Sequence, residues 1–217
     1  MQNLGIFFDT ETSGLPLFSE PSEDPRQPHI VQLAAALVDL DTRTTLDTMD
    51  VICRPDGWTI PKEVSDIHGI TTERAMDEGI PEADALEQFM TMWDRRVRIA
   101  HNQTFDARIV RIAQSRFGHD EDRLALWKGG KALCTQNMAT PIMKLPPTAK
   151  MRAAGFFKNK SANLQEAHEF FCGAKFDGAH SAMADVNACK AVYFAILDHK
   201  AKAAKPAAAA APAAVAA

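Results

Sequence analysis

The stretch "GIFFDTETSG" (Gly5–Gly14) decides the reading of this chain. An apolar run stops abruptly at Asp9 and Glu11, then gives way to small polar residues. On a strand, residues i and i+2 project from one face, so the two carboxylates converge if the extended backbone persists to Glu11. Like charges at the end of a buried strand repel. Either one carboxyl holds a proton or a cation sits between them. Hard oxygen ligands of this kind suit Mg²⁺ or Mn²⁺. A D-x-E pair is common, and alone it is better explained by two solvated acids at an exposed strand end.

Working outward, "LGIFFD" (4–9) is apolar on both faces and reads as a central strand. The segments 29–40 and 46–55 read as two further strands, joined by the short turn "DTRTT" into an antiparallel hairpin. The connection 16–28 has four prolines and is expected to be irregular. "IPKEVSDIHG" reads as a helix from Pro61 to a stop at Gly69. A helix over 81–93, a strand over 96–101 and a helix over 105–118 follow. "KALCT" reads as the last strand. Helices are expected over 161–173, capped by Ser161, and over 181–197. Strands followed by strand–helix alternation mean a mixed α/β sheet with helices packed on it. Residues 1–200 form one domain. Residues 201–217, rich in Ala with Pro206 and Pro212, read as a flexible tail outside the fold.

A chain of 217 residues suffices for one sizeable core. No apolar run is long enough to span a bilayer, and the first residues lack a signal-peptide pattern, so no membrane association is expected. The four cysteines are scattered without a C-x-x-C, which favours free thiols in a reducing cytoplasm. The net charge of −4 does not favour nucleic acid globally. Residues 141–163, however, hold Lys144, Lys150, Arg152, Lys158 and Lys160 and no acid. That window, with Phe156 and Phe157 for stacking, suits a strand-binding flank, Lys158 and Lys160 being its named contacts. A solvated charge run over two core phenylalanines explains it equally well.

Two further groups bear chemistry. In "AHNQTFD" (100–106), Asp106 falls in a first helical turn, where the dipole alone favours an acid. Asn102 and Phe105 would set and pack that turn. In "GAHSAMAD", His180 precedes Asp185, which opens the last long helix. Singly, none of these is specific. In this order and at these separations the set resembles the DnaQ-like 3′–5′ exonucleases of the DEDDh group, over about residues 4–197. "IHGIT" (67–71), with His68, is similar to a further segment of that family.

The resemblance implies a ribonuclease H-like fold with a central mixed sheet of five strands. It also implies two divalent ions, Mg²⁺ or Mn²⁺, held by Asp9, Glu11, Asp106 and Asp185, with His180 as general base. Thr10, Thr12, Ser13 and Gly14 would let the terminal nucleotide approach the backbone. Leu15 would be an apolar wedge against its base, core packing being the plain alternative. The expected partner is a single-stranded 3′ end, DNA before RNA, with a DNA polymerase as a further partner in proofreading or repair. The alternatives are an exoribonuclease of ribonuclease T or oligoribonuclease type and a non-catalytic polymerase-associated module. The complete set of acids with His180 argues against the last. The absence of H-E-x-x-H argues against a metalloprotease.

Overall fold

A computed structural model describes residues 2–118 and 120–209. Strands β1 (Leu4–Thr12), β2 (Ile30–Asp39), β3 (Thr45–Arg54), β4 (Ile80–Pro81), β5 (Val97–Ala100) and β6 (Ala132–Cys134) form one mixed sheet. Its order is β4-β3-β2-β1-β5-β6. β1 runs antiparallel to β2 and parallel to β5. The five strands expected from the sequence are present. The sheet nevertheless has six strands, because Cys53 and Arg54 pair with Ile80 and Pro81. Two residues are too few to produce a periodicity.

β1 is central because it is apolar on both faces. Ile6 and Phe8 pack toward α3 (Glu82–Trp93), α4 (Gln103–Phe117) and α5 (Glu121–Gly129). There the rings of Phe8, Phe89 and Trp127 meet with centroids 5.3 to 5.9 Å apart. Phe7 faces the opposite side and packs on Tyr193 and Phe194 of α9 (Ala182–Ala209). Each fully buried aromatic of this kind contributes about 1.5–3 kcal/mol. The strand end bearing Asp9 and Glu11 is therefore clamped from both faces.

The remaining helices are α1 (Lys62–His68), α2 (Thr72–Glu78), α6 (Thr135–Met143), α7 (Ala149–Ala153) and α8 (Leu164–Cys172). The stop at Gly69 holds, its φ of 74° being left-handed. The expected cap at Ser161 gives way to Asn163, which forms a reciprocal capping box with Glu166. The helix expected over 181–197 continues to Ala209, so no element ends at residue 200. The rest of the expected tail, 210–217, lies outside the described residues. All four cysteines are free. Among the described residues, no helix is long and apolar enough to cross a membrane.

Candidate active site

The site is built where β1 outruns its neighbour. The β1–β5 ladder ends at Phe7↔Ile99, while pairing with β2 continues through Asp9↔Ala34 and Glu11↔Gln32. Past Phe7 the β5 side of β1 is open, and the first turn of α4 fills it. Asp106 Oδ1 accepts hydrogen bonds from the Thr10 backbone N–H at 3.0 Å and the Thr10 hydroxyl at 2.8 Å. A carboxylate thus occupies the place of a sheet acceptor. Thr10, expected to touch nucleotide, is instead buried and occupied with orienting Asp106. If Asp106 is a metal ligand, as the resemblance implies, replacing Thr10 by Val raises the Mg²⁺ concentration needed for half-maximal activity by ~10–100-fold, the usual loss on removing an outer partner of a ligand. Saturating Mg²⁺ should restore most of the rate; an unchanged metal requirement would show that the hydroxyl is dispensable.

Asp185 comes from the opposite face, in the first turn of α9. Gln32, which stands across from Glu11, accepts from the Ala182 backbone N–H at 3.1 Å and donates to Asp50 at 2.7 Å. It seats the start of α9 on the sheet. Sequence reading missed it, although it is a polar residue within an otherwise apolar strand run. Gln32→Leu leaves the Ala182 N–H and the Asp50 carboxylate without this partner. It should lower stability by about 1–3 kcal/mol, measurable by denaturant unfolding. His180 adopts φ 68°, left-handed for a non-glycine residue, and its backbone N–H donates to Asp185 at 3.3 Å. Glu11, His180 and Asp185 each present a ligand atom, all within 4.8 Å of one another.

Electrostatics agrees with this crowding. Burial, then Asp106, Asp185 and Glu11, push the Asp9 carboxyl well above its ordinary value. Burial and the Asp185 and Asp106 charges push Glu11 up to about 8. Burial pushes Asp106 up to about 7 against the two bonds from Thr10. Asp185 is raised by burial, with His180 opposing. Among the described residues, no Lys or Arg forms an ion pair with any of the four. An all-oxygen donor set with an adjacent imidazole and no internal counter-cation fits a divalent metal of the Mg²⁺ or Mn²⁺ kind.

Around this centre the other candidates divide. His68 lies close by. Its Nδ1 accepts from the Ile70 N–H at 3.1 Å, and burial lowers its pKa, with Thr12 and His180 as neighbours. Leu15 is 75 % exposed, so core packing does not explain it. The Thr12 hydroxyl bonds Gly14 O at 2.8 Å and the Ser13 hydroxyl accepts from His29 N at 2.9 Å. These hydroxyls shape the turn that presents Leu15. Asn102 takes φ 59° at the start of α4 and Phe105 packs on the core below it. Phe156 and Phe157 are 65 % and 74 % exposed, which removes the core reading for them. Lys158 is exposed, but Lys160 is ion-paired with Glu166. Lys160 therefore offers less charge to a ligand than the run of basic residues implied.

The 16–28 loop is held by α4. Arg108 donates to Leu17 O and Glu20 O at 2.8 Å, Arg111 to the Ser22 hydroxyl at 2.9 Å, and Arg116 to Gln27 O at 2.7 Å. These three arginines were not singled out from the sequence, since nothing local links them to a loop some ninety residues earlier.

A mixed sheet with acids gathered at the end of its central strand, sealed by flanking helices, defines a ribonuclease H-like nuclease fold of the DnaQ-like kind. The chain belongs to the exonuclease family, whose ribonuclease T-type family model matches residues 6–193. Solved structures of exonuclease I share the fold. The zinc-bound E. coli exonuclease I–ssDNA complex aligns with a TM-score of 0.70 at 19% identity, covering 93% of this chain and 42% of that one. The E. coli enzyme with a dT13 oligonucleotide gives 0.68 at 20% identity, covering 90% and 41%. A product-bound exonuclease I gives 0.70 at 19% identity, covering 93% and 45%. The chain thus spans less than half the length of these structures. No curated protein matches it.

Proposed function

We propose that the protein is a metal-dependent 3′–5′ exonuclease that hydrolyses the terminal phosphodiester of single-stranded DNA and releases 5′-mononucleotides. The observation that carries this reading is the convergence of Glu11, His180 and Asp185 within 4.8 Å, beside Asp9 and Asp106. Asp9, Glu11, Asp106 and Asp185 would hold two divalent ions. When bound, these supply positive charge against the phosphate and the developing alkoxide. His180 is exposed and takes the proton of the attacking water. Its main chain is tied to Asp185, which orients the ring's neighbourhood. As the water oxygen bonds to phosphorus, the bond to the 3′ oxygen breaks. The nucleotide leaves with its 5′-phosphate, and the shortened strand regains a 3′-hydroxyl on protonation. Leu15, exposed at the rim, is placed to press on the terminal base.

DNA is preferred because exonuclease I, similar in fold, is described in complexes with dT13 and dA16 oligonucleotides. The test is digestion of 5′-labelled single-stranded DNA and RNA of one sequence with Mg²⁺, Mn²⁺ or chelator. Stepwise shortening of the DNA, lost in chelator and slower on RNA, is expected. Persisting activity in chelator, or mononucleotide released first from the 5′ end, overturns the reading. Faster RNA digestion transfers it to an exoribonuclease.

A further inference from the structure

Behind the first turn of α4 lies a cavity of 620 Å³, lined by Phe18, Arg98, Arg108, Arg111, Trp127 and Lys128 among others. Among the described residues, no carboxylate lines it and none of its four cations forms an ion pair. Holding the 16–28 loop accounts for Arg108 and Arg111. It does not account for Lys128, exposed at the rim, or for Arg98.

Arg98 stands on β5, paired between Ile6 and Ala132, where a parallel sheet ordinarily carries apolar residues. It is only 4% exposed. Its guanidinium lies 4.0 Å over the Trp127 ring and donates to Gly130 O at 2.9 Å, both residues of the same cavity wall. Its Nε is buried without a partner, as is the Nε of Arg108. Stacking and one carbonyl offset part of the burial of this charge, but among the described residues no carboxylate pairs with it. The α4 N-terminus adds its positive end through Gln103 and Thr104, which also line the space. Phe18, 65% exposed beneath the Arg108 guanidinium, offers a face on which a base can stack.

We infer that this cavity is a nucleotide-phosphate site, with Arg98 and Lys128 binding the phosphate and Phe18 stacking the base. The volume suits one nucleotide. The site is distinct from the carboxylate centre, since Asp106 leaves the same helical turn toward Thr10. That the ligand is a nucleotide rests on the exonuclease reading; that it is an anion does not. The phosphate belongs either to the bound strand or to the released mononucleotide.

Calorimetric titration in chelator, where no hydrolysis occurs, tests this on the intact chain. The ligands are thymidine 5′-monophosphate, thymidine and a short oligo-dT. Binding of the monophosphate, absence of thymidine binding, and weakening by about tenfold in R98M and K128E are expected. Because R98M removes a buried group and could fail to fold, K128E at the rim carries the test independently. If only oligo-dT binding falls in K128E, with a shallower salt dependence, the strand supplies the phosphate. Absence of binding by both phosphate ligands, thymidine binding as tightly as its monophosphate, or unchanged affinities in K128E overturns the inference. Failure of the exonuclease reading would show separately, as absent hydrolysis in Mg²⁺, and would leave these titrations intact.

Discussion

Replacing Asp9 by Asn is expected to lower turnover by ~10³-fold or more while raising the melting temperature of the metal-free protein. Activity falls because a metal held by the proposed site would contribute several kcal/mol of charge stabilisation that a neutral amide cannot anchor. Stability rises because the wild-type fold confines four acids without a counter-ion. Asp9, Glu11, Asp106 and Asp185 all have folded pKa values above their ordinary ones. The folded state therefore binds more protons than the unfolded one between the ordinary carboxyl range, about 4, and the raised values. Stability at these groups is fully present below that range and is lost as pH rises toward about 8, the value for Glu11. In chelator the wild-type melting temperature should decline across this window, and the decline should be shallower in D9N. Mg²⁺ should raise the wild-type melting temperature far more than that of D9N. Equal melting of the two proteins in chelator, or near-normal activity of D9N, would contradict the account.

Substituting His180 by Ala should reduce kcat by ~10²–10⁴-fold, the range for loss of a general base. The imidazole lies within ligand distance of Glu11 and Asp185, so the geometry alone admits a metal-ligand role as well. The two roles separate experimentally. As a base, His180 leaves the Mg²⁺-induced rise in melting temperature and the metal concentration for half-maximal rate nearly unchanged. As a ligand, its loss shifts both. The left-handed backbone at His180 adds a second constraint. His180→Asn tolerates that φ better than Ala, so equal loss in the two variants assigns the effect to the ring rather than to the turn.

Much of this site was legible because its signals are short-range. The strand ending at Asp9, the first-turn positions of Asp106 and Asp185, and the αL stop at Gly69 each follow from a few adjacent residues. What escaped depends on distant partners. Trp127 belongs to a helix flanked by charges, and its distant partners Phe8, Phe89, Trp93 and Arg98 reveal why it is buried. Lys160 looked free until Glu166 folded back upon it. Thr10 looked like a nucleotide contact because its partner lies 96 residues away. The short helices α2, α5, α6 and α7 were not expected from the sequence. Arg98 reads as an interruption of a strand, and its meaning arises only from the walls around it.

The arginine stitching of the 16–28 loop bears on how such enzymes diversify. Arg108, Arg111 and Arg116 hang that loop on the helix that also delivers Asp106. Loop and helix therefore form one transferable cassette. A chimera that imports the loop alone would receive an untethered flap beside the proposed catalytic centre. One that imports loop and helix together would carry its own fastening, so the two segments should change length and sequence in concert.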